Sequence, residues 1–280
     1  MGAVHFAVNQ PSIISVVVVL YNKSIRDICS LNSALSSSYV GEVIVCDNST
    51  VPNDNARAAE RLGITHISME GNKGLPFAYR KGVNSSSGEI ICIFDDDTSV
   101  PSDYFDAVAA AFGASESLGI CLPLVVAGDL ILSPCRFNGM RGIPFEKLSD
   151  IKECGDLSGI NSGMAIRRSV FDVLDYDTDL FVDYVDHVLL RDAREAGIEI
   201  SYLDCSALSQ KFSFVSSAND QVLKRMRLFI SDSKTFFSDV PFGRAIALLA
   251  VLCHGASLCR KRLRIWWKRT SSRFFTSTVS

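Results

Sequence analysis

The chain has no apolar run long enough to cross a bilayer. The stretch 13–20 and the nearly uncharged stretch 245–259 both fall short of the roughly 20 residues a spanning helix needs. Nine cysteines are present, scattered and with no two in a C-x-x-C pair, which argues against a zinc site or disulfides. Cys46, Cys92, Cys121 and Cys253 lie inside apolar runs and read as reduced, buried thiols of a cytoplasmic protein. Residues 1–12 lack the basic start and apolar core of a secretory leader. There is no internal repeat and no low-complexity tract. Basic charge is scarce over most of the length: residues 1–220 carry 16 Lys+Arg against 29 Asp+Glu, a net of −13. An acidic body is the wrong sign for a nucleic-acid partner.

What is there alternates. Strand-like segments at 13–20, 42–47, 65–68, 89–95 and 120–126 are separated by helix-like segments at 24–37, 53–62, 74–83 and 102–112. That order predicts an α/β fold, a Rossmann-like, mostly parallel sheet with helices on both faces. Ligands of such sheets bind beyond the carboxyl ends of the strands. Polar residues stand at those ends: Tyr21 and Asn22 after the first strand, Asp47 and its neighbours after the second, and Asp95, Asp96 and Asp97 after the fourth. Residues 129–165 are less regular and are expected to shape an acceptor pocket. An acidic turn then leads into a helix within 181–197, and 199–203 reads as a last strand.

The acidic triplet carries the most chemistry. Side chains alternate along an extended chain, so Asp95 and Asp97 point the same way. Two carboxylates at a strand end make half of a site for a hard divalent cation, which in turn holds a diphosphate. The same residues also fit an acidic turn that merely ends a strand.

Five stretches taken in order resolve this ambiguity: VVVVLYN at 16–22, VIVCDNS at 43–49, NKG at 72–74 with Gly82 and Asn84, GEIICIFDDDTSVP at 88–101, and FVDYVDHVLLRDAREAG at 181–197. Together they resemble an inverting family 2 glycosyltransferase of the GT-A type, most closely the bacterial rhamnosyltransferase-like branch. The resemblance spans residues 13 to about 210. It implies a nucleotide-diphosphate-sugar donor, with dTDP-rhamnose favoured and a UDP-hexose the alternative, and Mn²⁺ or Mg²⁺ as cofactor. Donor contacts are implied for Tyr21, Asn22, Asp47, Asn72, Gly74, Asp95 and Asp96. Metal ligation is implied for Asp95 and Asp97. The general base is Asp186 by position, with Asp183 as runner-up, and Asn161, Ser162 and Gly163 fall on the acceptor side. Asp47 also suits a turn, and Asp183 and Asp186 a helix N-terminus, where carboxylates oppose the macrodipole. Two positions depart from the branch. Val188 stands where an acidic residue usually follows the base, and 207–211 (ALSQK) has no His to complete the metal site, leaving Ser209, Gln210 or water.

The end of the chain has the opposite sign. Residues 221–280 carry 12 Lys+Arg against 2 Asp+Glu, a net of +10. The expected division is a catalytic domain over 1–220 and a helical, basic segment over 221–280. Arg260, Lys261, Arg262, Arg264, Lys268 and Arg269 interleave with Trp266 and Trp267. That pattern fits a helix lying in an anionic membrane interface, on the cytoplasmic face. A helix packed on the domain with a solvated basic face is the other reading. Membrane contact suits an acceptor that is a growing, lipid-linked cell-surface glycan. Two other functions stay open. A sugar nucleotidyltransferase would want a Gly-rich basic loop after the first strand, where this chain has Tyr21-Asn22-Lys23-Ser24. A non-catalytic nucleotide-sugar-binding or tethering module would not need both acidic pairs.

Overall fold

The computed structural model describes residues 13–210 and 219–257. The basic cluster 260–269 lies outside them. The elements run β1 (Ile14–Leu20), a 3-10 turn (Ile25–Asp27), α1 (Leu31–Ser36), β2 (Val40–Asp47), α2 (Asn55–Leu62), β3 (Thr65–Ser68), α3 (Leu75–Ser85), β4 (Ile90–Asp95), β5 (Thr98–Ser99) and α4 (Tyr104–Ala114). They continue with β6 (Leu118–Ala127), β7 (Leu130–Ser133), β8 (Cys135–Phe137), β9 (Gly142–Pro144), α5 (Leu148–Lys152), β10 (Ala165–Arg167), α6 (Val185–Glu195), β11 (Glu199–Gln210) and α7 (Asn219–Phe236). Residues 243–257 are helical too.

The main sheet is ordered β3-β2-β1-β4-β10-β6-β11-β5, with β7 beside β6. The β1–β2, β1–β4, β2–β3 and β6–β11 pairs are parallel. The three-residue β10 runs antiparallel between β4 and β6. The central strands are apolar on both faces because helices cover both. On one face Val16, Val18, Leu20, Phe94, Tyr104 and Phe105 share a core with side chains of α1, α2 and α4. On the other, α3 lies so close that a Cβ at Gly82 would stand 2.3 Å from a Val17 methyl. Only a glycine admits that approach. Phe94 and Tyr104 meet edge to face at 5.5 Å, and Tyr104 meets Phe105 likewise at 5.0 Å. Each such pair adds roughly 0.5–1.5 kcal/mol beyond burial.

Register positions the site. Leu20 pairs with Asp47 and Val19 with Asp95, so β1, β2 and β4 end level and present their polar residues on one edge.

Two departures from expectation have local causes. The segment 24–37 is a capped 3-10 turn followed by a short helix, not one helix. Ser24 caps the turn by accepting from the Arg26 N–H at 3.3 Å, and the Cys29 N–H leaves the helical pattern to donate to the Asp96 carbonyl at 3.2 Å. The last strand extends well beyond 203 because β11 continues along β6 past an irregularity to pair Ser209 with Val126.

The chain divides into two compact units. Among the described residues, one holds 13–181 and 185–210, and the other holds 182–184 and 219–257. In the second unit, Asp232 of α7 accepts the backbone N–H groups of Val182 and Asp183, each at 2.8 Å. The Tyr184 ring stacks on Phe236 at 4.4 Å. No helix among the described residues is long and apolar enough to cross a membrane.

Candidate active site

Asp47 ends β2 at 4% exposure. Its Oδ1 accepts the Ser49 N–H at 2.9 Å, and its Oδ2 accepts from Asn55 at 2.8 Å and Asn53 at 3.1 Å, with His66 Nε2 at 3.2 Å. Burial pushes its carboxyl up, but the bonds from Asn55, Ser49 and His66 outweigh this and hold it below the usual carboxylate range. A cavity of about 310 Å³ opens beside it, with Thr50, Asn53, His66 and Glu70 in its walls.

The loop after β1 closes on its neighbours. The Asn22 N–H donates to Ser49 Oγ at 2.9 Å, and the Thr50 N–H donates to Asn22 Oδ1 at 2.9 Å. Asn22 itself has φ 52°, a left-handed conformation that asparagine tolerates. Asp96 faces this loop: it accepts the Tyr21 N–H at 3.2 Å and pairs with the Lys23 ammonium. The middle acid therefore ties β1 to β4, while its neighbours on either side face elsewhere.

Asp95 and Asp97 meet at Gln210. One amide nitrogen stands 3.0 Å from Asp95 Oδ2 and 3.2 Å from Asp97 Oδ1. Asp95 Oδ1 accepts the Tyr79 hydroxyl at 2.8 Å, and the Asp95 N–H donates to Ser162 Oγ at 3.0 Å. Burial raises the Asp95 carboxyl to about 6; the Tyr79 hydroxyl pulls it down, and Asp97 and Asp96 push it up. Burial raises Asp97 as well, against the Gln210 bond. Two desolvated like charges side by side favour a bound cation. No cluster of three or more His, Cys, Asp or Glu poised for a metal exists among the described residues. The two carboxylates offer hard oxygens that fit Mg²⁺ or Mn²⁺, while Gln210 faces them through its amide nitrogen.

Asn161, Ser162 and Gly163 lie beneath the end of β4. The Gly163 N–H donates to the Ile93 carbonyl at 2.7 Å, Ser162 is 1% exposed, and Asn161 Oδ1 accepts the Tyr176 hydroxyl at 3.0 Å. Asn72 Oδ1 accepts the Gly74 N–H at 3.1 Å, and the Leu75 N–H donates to the Phe181 carbonyl at 2.7 Å. Gly74 has φ 89°, and a Cβ there would stand 2.9 Å from that same carbonyl oxygen. This glycine lets the start of the 181–197 stretch dock on the N-terminus of α3. Asp186 sits in the first turn of α6, where its Oδ1 accepts the His187 N–H at 2.9 Å. Asp183 belongs to the second unit and is held by both terminal guanidinium nitrogens of Arg225, Nη2 at 2.6 Å. Tyr79 and Lys23 were not singled out from the sequence as site residues, and Gln210 only as one of the replacements for the missing His.

A mostly parallel sheet flanked by helices, with acidic residues converging at its carboxyl edge, defines a GT-A fold. The family model described as glycosyl transferase family 2 matches residues 15–174, so the chain belongs to that family. The match ends before Asp183 and Asp186. Among solved structures, the chain is similar to glucosyl-3-phosphoglycerate synthase from Mycobacterium tuberculosis in complex with Mn²⁺, UDP and glucosyl-3-phosphoglycerate. The identity is 18% and the TM-score 0.54, over 78% of this chain and 77% of that one. The same enzyme with Mn²⁺, UDP and phosphoglyceric acid matches at 18% and 0.54, over 78% and 76%. No curated protein sequence matches the chain.

Proposed function

We propose that the protein is a metal-dependent, inverting glycosyltransferase. It moves a sugar from a nucleotide-diphosphate donor to a hydroxyl of a growing, lipid-linked cell-surface glycan. The observation that carries this reading is the level register of β1, β2 and β4, which gathers Asp47, Asp95 and Asp97 on one strand edge. The solved neighbour's complex with UDP and Mn²⁺ supports a nucleotide-diphosphate donor and a divalent metal.

Each residue has a role that its surroundings support. Asp47, beside the cavity with His66 and Asn53, faces the nucleoside. Asp95 and Asp97 would hold the cation, which when bound neutralises charge on the departing diphosphate. Tyr79 and Ser162 keep Asp95 in place. Asp186 takes the proton from the acceptor hydroxyl as its oxygen attacks the anomeric carbon opposite the diphosphate, inverting that centre. The resemblance favours dTDP-rhamnose as donor, with a UDP-hexose as the alternative.

The basic segment after α7 holds the enzyme on an anionic cytoplasmic membrane surface, beside its acceptor. In the second unit, a groove of about 700 Å³ lined by Ile230, Phe237, Leu248 and Val251 carries the cations Lys234 and Arg244. Phe242 of the same unit, outside the groove lining, is 87% exposed. Apolar and cationic groups side by side suit an anionic membrane interface.

The test is incubation with a panel of nucleotide sugars, with Mn²⁺ or EDTA, following nucleotide release. Slow, metal-dependent release from one donor supports transfer. Release of pyrophosphate from sugar phosphate and nucleoside triphosphate would identify a nucleotidyltransferase instead. Donor binding without release in the presence of candidate acceptors would identify a binding module.

A further inference from the structure

His187 follows Asp186 in the first turn of α6. Its Nδ1 stands 2.7 Å from the hydroxyl of Ser158, a fully buried residue. Ser158 is itself fixed by backbone. Its N–H donates to the Cys135 carbonyl at 2.8 Å, and the Cys135 N–H donates back to its carbonyl at 2.7 Å. The imidazole also stacks on Phe137 of β8 at 4.3 Å. The packing leaves no room for a side chain at Gly142 of β9: a Cβ there would stand 2.9 Å from Cys135 Sγ and 3.5 Å from the His187 ring. Arg194 comes seven residues later, about two turns on and so on the same face of the helix. Its Nη1 donates to the Leu157 carbonyl at 2.9 Å, and its Nε pairs with Asp156 at 2.9 Å. The segment 156–158 therefore ties α6 near both of its ends, along one face.

A helix held at one point along a face still rolls about its axis; held at two, it does not. Successive side chains on a helix stand about 100° apart, so any roll that carries His187 carries Asp186 with it. The field of Asp186 reaches the groups around Asp95. Burial lifts the Tyr176 hydroxyl and the Asp186 charge adds to the lift, and the Cys135 thiol responds in the same way. Tyr176 in turn lies against Tyr79, which holds Asp95. We propose that His187 is a positioning residue: its bond to Ser158 fixes the roll of the first turn of α6, and with it the place of the Asp186 carboxylate. The inference rests on reading Asp186 as the general base. It gives the stretch 156–158 and the β8–β9 hairpin a part in the reaction, since they form the anchor for the helix that carries the base. A displacement of 1 Å at a reacting group costs on the order of 100-fold in rate, so one buried hydrogen bond has this much leverage.

The experiment uses the full chain with Mn²⁺ and dTDP-rhamnose or a UDP-hexose, whichever it turns over. It follows kcat for nucleotide release, and affinity for the matching nucleoside diphosphate by calorimetry. Ser158→Ala removes the hydroxyl; His187→Phe keeps a ring against Phe137 and loses the bond. Each should lower kcat at least about tenfold while nucleotide affinity stays unchanged. The double variant should fall no further than the slower single one, because both changes remove one contact. His187→Asn places an amide near the position of Nδ1 and should recover most of the lost rate. Folding of each variant is checked by circular dichroism. Folded Ser158→Ala and His187→Phe proteins with wild-type kcat overturn the proposal, as do losses that add in the double variant. A parallel loss of nucleotide affinity marks general damage to the site and also overturns it. His187→Asn as slow as His187→Phe would assign the effect to ring stacking, against the proposal. If His187→Phe does not fold, Ser158→Ala decides alone, and full kcat in it is fatal to the idea. Asp186→Asn tests the underlying reading: full turnover there means that the base is misassigned and that the roll of α6 has nothing to serve. Loss in Asp186→Asn with none in the Ser158 and His187 variants removes only the positioning role. A wild-type chain that turns over no donor removes the reaction, and the proposal with it.

Discussion

The Tyr79 hydroxyl donates to Asp95 Oδ1 at 2.8 Å from a side chain that is 1% exposed. Its ring lies 5.2 Å from that of Tyr176, whose hydroxyl reaches Asn161. A buried chain of groups from α3 therefore fixes the carboxylate that ends β4. Positioning partners of metal ligands typically govern 10–100-fold in affinity. Tyr79→Phe is expected to weaken Mn²⁺ and Mn²⁺-dependent UDP binding within that range, measured by calorimetry. The cost in folding stability should stay within roughly 1–3 kcal/mol, that of one unsatisfied buried acceptor. Unchanged binding would assign Tyr79 to the core alone.

Asp186 and Asp183, three residues apart, were read from the sequence as base and runner-up, both suiting a helix N-terminus. The structure gives them different surroundings. Asp183 is committed to Arg225, whereas Asp186 lies at the start of α6 in the unit that holds the other acidic residues. Asp186→Asn keeps the shape but cannot accept a proton. Transfer should drop by at least ~100-fold with donor affinity close to wild type. Asp183→Asn should lose the charged part of its bond to Arg225 and show mainly a lower melting temperature. Full inactivity of Asp183→Asn beside an active Asp186→Asn would exchange the two roles.

Much of the fold was legible because it rests on local periodicity. The apolar β1 and β4 segments, each ended by polar residues, announced strands and a carboxyl edge. The contact that breaks the 24–37 helix was not legible, because it depends on a carbonyl 67 residues away, at Asp96, meeting the Cys29 N–H. Nor was β10: three residues carry no period, and its place between β4 and β6 is decided by pairing. At the site, Asp47, Asp95, Asp96 and Asp97 stood out by charge against apolar runs. Tyr79 did not, since a tyrosine on the buried face of a helix reads as core until the carboxylate opposite is known. Ser162 was expected on the acceptor side; its hydroxyl accepts the Asp95 N–H and lies 2.5 Å from Thr98 Oγ1. That relation crosses 67 residues and leaves no mark in the sequence.

At the other end of the strands, Glu42 gathers β1 and the approach to β4. Its Oε1 accepts the Ser15 hydroxyl at 2.6 Å and both the N–H and hydroxyl of Ser87, at 2.5 and 2.8 Å. Burial raises its carboxyl, but the Ser15 and Ser87 bonds prevail and hold it below its ordinary value. A carboxyl depressed in the folded state contributes stability above its unfolded pKa, and loses it as pH falls through the folded value. The stability difference between wild type and Glu42→Gln should therefore be full at pH 7. It should shrink as pH falls below about 4.3, the ordinary Glu value. Urea unfolding of both proteins from pH 7 downward measures this. A difference that stays constant with pH would show that the glutamate acts through shape alone.

The last prediction concerns the basic end of the chain. Residues 221–280 carry a net +10 beside a body of −13, and Arg244, Lys234 and the exposed Phe242, Leu248 and Leu252 lie on the described part of that segment. Each Lys or Arg near an anionic leaflet contributes about 1 kcal/mol, so half of the Arg260–Arg269 cluster is enough to overcome repulsion from the body. The attraction is screened within a Debye length of about 8 Å at physiological salt. The full chain should therefore pellet with anionic vesicles, less with neutral ones, and less again as salt rises. Trp266 and Trp267 should account for the part that survives salt, because aromatic burial in the interface is not screened. Replacing both with Ala should remove that remainder while keeping the salt-sensitive part. Replacing Arg260, Lys261, Arg262 and Arg264 with Glu should do the reverse. Equal pelleting of all three proteins, or none by any of them, would mean that this segment serves the protein's own packing and not a membrane.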